Sequence, residues 1–390
     1  MNKNILITGG TGLVGQRLAE KLLAKGYTVS FLTRSKQGID SLEFKTQFPL
    51  AEVVKGTEED LIKFALGKRL ARPITVTNID KFIDRRTGEH KQTEEHEISL
   101  SKGHLITEYD IESILESEIK EIWIQKYNAY VKLYEWNVQQ NYIEEGALKN
   151  IDYIIHLAGA GVAEENWTAS RKREILESRT HSTKLLVESI KNIPNQIKAF
   201  ISASAIGYYG MDTGNVWQKE DSKSQGNGFL AQVVQAWEQE IFKSEDVRTV
   251  AIRIGVVLAP KGGALEKMAQ PVRLYAGAAL ARGIQYISWI HLDDLCEMFI
   301  KAIEDENMKG IYNGVAPEPV TNQMLTKAIG KTLGKPILPI NVPEFALRLM
   351  LGEMADIVIG GNRVSAEKIE KAGFNFQFKD LAIALKDLLK

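Results

Sequence analysis

Asn4-Ile5-Leu6-Ile7-Thr8 runs directly into Gly9-Gly10-Thr11-Gly12-Leu13-Val14-Gly15, and the reading of this stretch decides the fold. The first five residues are a short, β-branched apolar run, the pattern of a buried strand. After the glycines, Leu18, Leu22 and Leu23 recur at helical spacing and Gly26 ends the stretch. Tyr27 to Thr33 (YTVSFLT) then returns as a second strand rich in β-branched and aromatic residues. The order is strand, glycine turn, helix, strand. A glycine turn opening a helix presents backbone N–H groups to an anion, and missing side chains let a pyrophosphate approach. Gly12 is expected to permit that approach and Gly15 to let the helix pack on the strand. The turn is therefore read as a dinucleotide site, although glycines in the same pattern also mark plain turns.

The tip of the second strand distinguishes the cofactors. Sites for NAD place a carboxylate there to take the ribose hydroxyls. This chain has Leu32-Thr33-Arg34-Ser35 instead. A guanidinium suits a 2′-phosphate and also the adenine face, so NADP is expected in preference to NAD; the plain alternative is a solvated surface arginine.

Downstream the alternation resumes. Tyr130–Trp136, Ile151–Leu157, Ile197–Ser204 and Arg248–Ala259 read as strands, with helices at Trp167–Lys191 and Phe229–Phe242. Such alternation predicts an α/β fold with a doubly wound parallel sheet. Residues 36–130 interrupt it and are too long for one connection. Thr57-Glu58-Glu59-Asp60 and Thr107-Glu108-Tyr109-Asp110 look like helix starts, Ile74–Ile83 and Glu97–Leu100 like strands, and Thr87-Gly88 like a turn. The span reads as an inserted α+β module. Its histidines, His90, His96 and His104, match no compact metal-ligand spacing, and no metal site is expected. Further on, Gly310–Val315 reads as a strand, Asn322–Leu333 as a helix, and Pro343–Gly352 carries an apolar helical stripe suited to core or to a subunit contact.

Composition excludes several classes of function. With 49 basic and 50 acidic residues the net charge is -1, which removes the main reason to expect nucleic-acid or anionic-membrane binding. The single cysteine, Cys296, sits among apolar residues and allows no internal disulfide. No apolar run reaches the roughly 18 residues of a membrane span, and the N-terminus lacks the pattern of a signal peptide, so a cytoplasmic location is expected.

TGGTGLVG at 8–15, HLAGA at 156–160, SASAIGYYG at 202–210, Ile252-Arg253-Ile254-Gly255 and WIHLDD at 289–294 occur in this order. Together they resemble the extended short-chain dehydrogenase/reductase superfamily, in its NAD-dependent epimerase/dehydratase branch. Trp167 with Ser178-Arg179, Trp237-Glu238, Gly262-Gly263-Ala264-Leu265, Asn313 to Pro317 and Gly361-Asn362-Arg363-Val364 resemble a bacterial epimerase-family subgroup with a C-terminal domain of unknown function. The resemblance covers about 1–35 and 131–390 and leaves the insertion outside. It implies a Rossmann-type NADP-binding domain over 1–35 and 131–260, the inserted module at 36–130, and a small C-terminal substrate lobe with its extension at 261–390. It also implies that Gly9, Gly12, Leu13, Val14, Gly15, Arg34, Leu157, Ala158 and Gly159 hold the cofactor. The substrate it implies is a small molecule, nucleotide sugars being common among members of the branch.

The same resemblance shows what is missing. The superfamily's acid/base tyrosine is followed four residues later by a lysine, and none of the twelve tyrosines here has one. The helix asparagine of the superfamily is replaced by Arg179. Ser204 matches the superfamily serine and is the candidate to polarise the substrate, against a purely local role at a strand end. Tyr208 is the candidate catalytic phenol, yet a tyrosine without a neighbouring cation is a poor base at neutral pH. Trp167, Arg179 and Tyr209 are the substrate-binding candidates; for Arg179 the choice between an anionic substrate group and a buried carboxylate such as Glu238 stays open. His156 is expected to be core or cofactor-lining, and Asp293 and Asp294 to brace a helix. Two functions follow: an NADP-binding epimerase or oxidoreductase with a non-standard active site, or a non-catalytic NADP(H)-binding regulator. A homodimer and an unknown protein partner for the insertion complete the expectations.

Overall fold

The structure, a computed structural model, describes residues 3–36, 41–83, 90–117, 119, 121–223 and 228–390. The chain divides into two compact units, one of Met1–Leu22, Thr28–Asp40 and Lys132–Lys390, the other of Leu23–Tyr27 and Ser41–Val131.

The first unit is an α/β Rossmann-type fold. Its central strands follow the order Gly310–Gly314, Arg248–Ile254, Ala199–Ala205, Tyr153–His156, Asn4–Thr8, Thr28–Thr33 and the end of Glu121–Asn137. Every one of these pairings is parallel. From Asn4–Thr8 the chain builds outward first to one side and then to the other. The order therefore reverses between Asn4–Thr8 and Tyr153–His156, and open α/β sheets bind ligands at such a switch point, beyond the carboxyl ends of the strands. Ile5, Leu6, Ile7, Ile154, Ile155, Phe200 and Ile201 are sealed in the sheet, as strands covered on both faces require.

Arg248–Ala259 forms two strands rather than one. Arg248–Ile254 stays in the main sheet, whereas Val256–Leu258 pairs with Trp289–His291. The break is at Gly255, where a Cβ would lie 2.2 Å from the Ser288 carbonyl oxygen. The helices Gly263–Arg273, Asn322–Leu333 and Leu381–Leu389 enclose a second core built on Leu265, Trp289, Leu325, Ile329, Phe378 and Leu385. The helix Glu344–Leu351 does not join a core. Phe345, Leu349 and Met350 are 74%, 86% and 73% exposed and only Leu347 is buried, which removes the core alternative for this stripe.

In the second unit both threonines cap helices, Thr57 for Glu58–Ala65 and Thr107 for Glu108–Glu116, each with a complete capping box closed by Asp60 or Asp110. Leu61, Ala65, Ile98, Ile111, Ile114 and Ile124 form its core. Ile74–Ile83 and His90–Leu100 pair antiparallel. The second of these strands starts well before Glu97, because ladder pairing holds polar residues that have little strand propensity of their own. Thr87-Gly88 lies outside the described residues. Among the described residues no helix is long and apolar enough to cross a membrane.

Candidate functional site

The glycine turn has the shape a diphosphate needs. Gly9 has φ +70°, and a Cβ on it would lie 2.8 Å from the Leu157 carbonyl carbon. A Cβ on Gly15 would lie 2.3 Å from the Gly9 oxygen. Gly12 N–H donates to the Gly9 oxygen at 3.0 Å and Gln16 N–H to the Gly12 oxygen at 2.9 Å. The N–H groups of Leu13, Val14 and Gly15, at the start of the helix Leu13–Ala24, have no acceptor among the described residues. Free first-turn N–H groups and the positive end of the helix dipole form an anion cradle. Arg34 is exposed at the end of Thr28–Thr33 and forms no ion pair or hydrogen bond among the described residues. These residues fit a dinucleotide.

The loop after Tyr153–His156 is tied to the turn through Thr8. Thr8 Oγ1 accepts from the N–H groups of Leu157 and Ala158, each at 3.2 Å, and shares a hydrogen bond with His156 Nδ1 at 2.6 Å. His156 Nε2 then faces Thr183 Oγ1 at 3.0 Å, which also accepts from Trp237 Nε1 at 3.0 Å. His156 is thus a core residue that helps position the loop at Leu157 and Ala158 through Thr8.

Burial, reinforced by the Arg179 charge, pushes the His156 pKa down to about 3. The folded state therefore holds this ring neutral while the unfolded chain takes up a proton below about 6.5. Its stabilising contribution is complete above that pH and is lost as the pH falls toward 3. Between pH 6.5 and 4 the loss is about 3 kcal/mol. Denaturant titrations across that range are expected to show this acid slope in the natural protein and its removal in His156→Gln.

Register brings the next group together. Arg253 pairs with Ser204 on one side and Asn313 on the other, across three adjacent strands. Ser204 Oγ donates to Glu238 Oε1 at 2.6 Å. Arg253 grips the same carboxylate with two hydrogen bonds, Nε to Oε1 at 2.8 Å and Nη2 to Oε2 at 2.7 Å. Its Nη1 donates to the Tyr209 hydroxyl at 3.1 Å, and that hydroxyl donates to Asn313 Oδ1 at 2.7 Å. Burial disfavours the charge on Arg253, but Glu238 outweighs it and holds the pKa above the ordinary arginine value. Burial also pushes the Tyr209 phenol up to about 12 despite Arg253. Tyr209 is fully buried and its hydroxyl is engaged on both sides. Tyr208 is only half-buried, and its ring lies over the Arg253 guanidinium with 3.4 Å from Cζ to the ring centroid. A cation absent from the tyrosine's own helical neighbourhood is thus supplied from the next strand.

Trp167 stands edge-on to Phe229 with ring centroids 5.1 Å apart, and its Nε1 donates to the Val162 oxygen at 2.8 Å. Arg179 does not meet Glu238, which belongs to Arg253. Its Nη1 instead donates to the carbonyl oxygens of Ala160 and Ile175, each at 3.0 Å. Asp293 binds Arg17 at 2.7 Å, while Asp294 accepts the N–H groups of Gln377 and Phe378 at 2.8 and 2.9 Å, so both carboxylates brace the fold. Arg253, Asn313 and Thr183 carry no site role in the reading of the sequence. An arginine inside the apolar run RTVAIRIGVV is the signal available for the first, since a buried charge needs a partner.

The comparisons with known proteins agree with this architecture. The NAD dependent epimerase/dehydratase family model matches residues 5–61 and 70–313, and a domain of unknown function, DUF1731, matches 342–388. The first match takes in much of the second unit, where the reading of the sequence placed no resemblance. An Arabidopsis thaliana protein named epimerase family protein SDR39U1 homolog, chloroplastic, is 31% identical over 346 residues, 88% of this chain and 94% of that one. An epimerase family protein of Mycobacterium leprae is 34% identical over 254 residues, 64% of this chain and 81% of its own. Human epimerase family protein SDR39U1, solved with NADPH, superposes with a TM-score of 0.66 at 22% identity, covering 99% of this chain and 98% of that one. A Bacillus cereus UDP-glucuronic acid 4-epimerase, solved with UDP-glucuronic acid and NAD, gives a TM-score of 0.60 at 15% identity, covering 99% and 98%. With most of its length matched by the family model and a relative this similar over nearly its whole length, the chain belongs to the NAD dependent epimerase/dehydratase family.

Proposed function

We propose that this chain is an NADP(H)-dependent oxidoreductase or epimerase acting on a small carbonyl or alcohol substrate, nucleotide sugars among the candidates, without a Tyr-x-x-x-Lys pair. The observation that carries the reading is the conjunction of the Gly9–Gly15 cradle with Arg34 at the tip of the second strand, which has no partner among the described residues. The free N–H groups of Leu13, Val14 and Gly15 receive the diphosphate, and Arg34 receives the 2′-phosphate. Leu157, Ala158 and Gly159 line the site from the loop anchored by Thr8. When bound, the nicotinamide supplies or accepts the hydride. Tyr208, whose ring packs on the Arg253 guanidinium, gives and takes the proton on the substrate oxygen. Ser204 acts as a positioning residue, because its proton goes to Glu238 and fixes the carboxylate that holds Arg253. Trp167 lines the substrate mouth. The human relative solved with NADPH supports the choice of cofactor.

Calorimetry with NADPH and NADH tests the first half. The natural protein is expected to prefer NADPH by at least about tenfold, and Arg34→Ala to erase that preference while leaving NADH binding unchanged; equal affinities in the natural protein overturn it. Turnover of a carbonyl panel at the expense of NADPH tests the second half. Tyr208→Phe is expected to lower it roughly 100-fold with cofactor affinity retained. Tight NADPH binding without turnover of any carbonyl would point instead to a non-catalytic regulator.

A further inference from the structure

From the placement of Arg179 we infer that the substrate carries a carboxylate, received by the Nε and Nη2 edge of this guanidinium. The inference rests on the proposed function and adds the chemical class of the substrate. Arg179 lies on the helix Ala169–Asn192, beneath the loop that borders the cofactor cradle. A Cβ on Gly159, a residue of that loop, would stand 3.1 Å from the Arg179 Cζ. Both protons of Nη1 are spent on the carbonyl oxygens of Ala160 and Ile175. These bonds fix the plane of the guanidinium, and Trp237 backs it with its ring centroid 5.3 Å from Cζ.

The other three N–H groups, on Nε and Nη2, have no acceptor among the described residues, yet neither nitrogen is sealed from solvent. This edge presents two parallel N–H groups in the spacing of a carboxylate's two oxygens. No carboxylate of the described chain pairs with Arg179. The nearby Arg171 differs: it is matched by Glu164 and Glu174 and donates to the Gly161 oxygen. Arg179 is thus a preorganised cation lacking its counter-ion, beside the sheet's carboxyl-end switch point. Burial, aided by the Arg171 charge, pushes its pKa down to about 10, the direction expected of a cation without a partner. An arriving carboxylate would recover that cost, whereas a neutral isostere would not.

The test is saturation-transfer NMR on the full-length protein saturated with NADPH, using propionate as probe and propionamide as its neutral counterpart. Propionate is expected to bind and propionamide to bind at least tenfold more weakly. Arg179→Gln, which keeps a donor for the loop carbonyls, is expected to abolish the difference. Arg179→Lys, which keeps the charge but loses the fork, is expected to retain a weaker preference. NADPH affinity, measured by calorimetry, is expected to stay within about twofold in both variants. Equal binding of the two probes by the natural protein overturns the inference, as does an undiminished preference for propionate in Arg179→Gln. A loss of NADPH affinity in Arg179→Gln with no propionate signal in the natural protein also overturns it and assigns the guanidinium to the cofactor. Repeating the titration on cofactor-free protein separates the two readings: a chain that binds propionate through Arg179 but never NADPH refutes the proposed cofactor and leaves this inference standing.

Discussion

Glu238→Gln is expected to destabilise the fold by about 3–5 kcal/mol, seen as a fall in the midpoint of urea unfolding. Glu238 is 6% exposed and its partner Arg253 1%, so the pair has exchanged hydration for its own two hydrogen bonds. Removing one charge leaves the guanidinium in a low-dielectric strand with no means of recovering what burial cost it. The damage is not confined to the pair. Arg253 Nη2 then faces an amide donor instead of an acceptor oxygen, and the cation beneath the Tyr208 ring is no longer held. Turnover is therefore expected to fall along with stability. The double variant Glu238→Leu, Arg253→Met separates the two effects, since well-packed apolar residues often replace a buried pair at little cost. It is expected to regain most of the stability and none of the turnover. Recovery of both would show that the cluster serves packing alone and that the Arg253 cation does not assist Tyr208.

The parts of this molecule legible in its sequence are those set by local rules. Ile5–Ile7 and Ile154–Ile155 are unbroken apolar runs because a parallel strand is covered on both faces, and that pattern needs no knowledge of partners. Thr57 and Thr107 are readable as caps because a capping box closes within four residues. The site cluster is legible only in part. Arg253 within an apolar strand announces a buried acid, but which acid depends on how the helix Phe229–Ile241 lies on the sheet, and spacing along the chain does not encode that. Hence Glu238 is visible as a candidate partner for Arg179, whereas the fold gives it to Arg253. The same applies to Tyr208. A search for its cation along its own helix finds none, because the register of the neighbouring strand supplies it. The apolar stripe of Glu344–Leu351 fails in the opposite sense, since periodicity identifies an apolar face without saying whether the chain covers it.

Gly15→Ala is expected to raise the dissociation constant for NADPH by at least about 100-fold, or about 2.7 kcal/mol, and to lower stability as well. The added methyl carbon would stand 2.3 Å from the Gly9 oxygen and 2.7 Å from the Gly10 Cα. Both are backbone atoms, so no rotamer change relieves the clash. The helix Leu13–Ala24 must move away from the turn, and overpacking of this kind costs about 1–3 kcal/mol. A helix so displaced carries the free N–H groups of Leu13, Val14 and Gly15 away from the turn, and the cradle is lost. Gly12→Ala supplies the contrast. Its methyl carbon would meet only the Gly9 oxygen, at 3.3 Å, which a shift of a few tenths of an ångström relieves. The turn is expected to survive there, with thermal stability close to that of the natural protein. The methyl would instead occupy the approach path of the diphosphate, so affinity is lost without loss of fold. Calorimetry and thermal melting on the two variants thus assign one glycine to building the cradle and the other to keeping it open. Unchanged NADPH affinity in both would show that the cofactor binds elsewhere on the molecule.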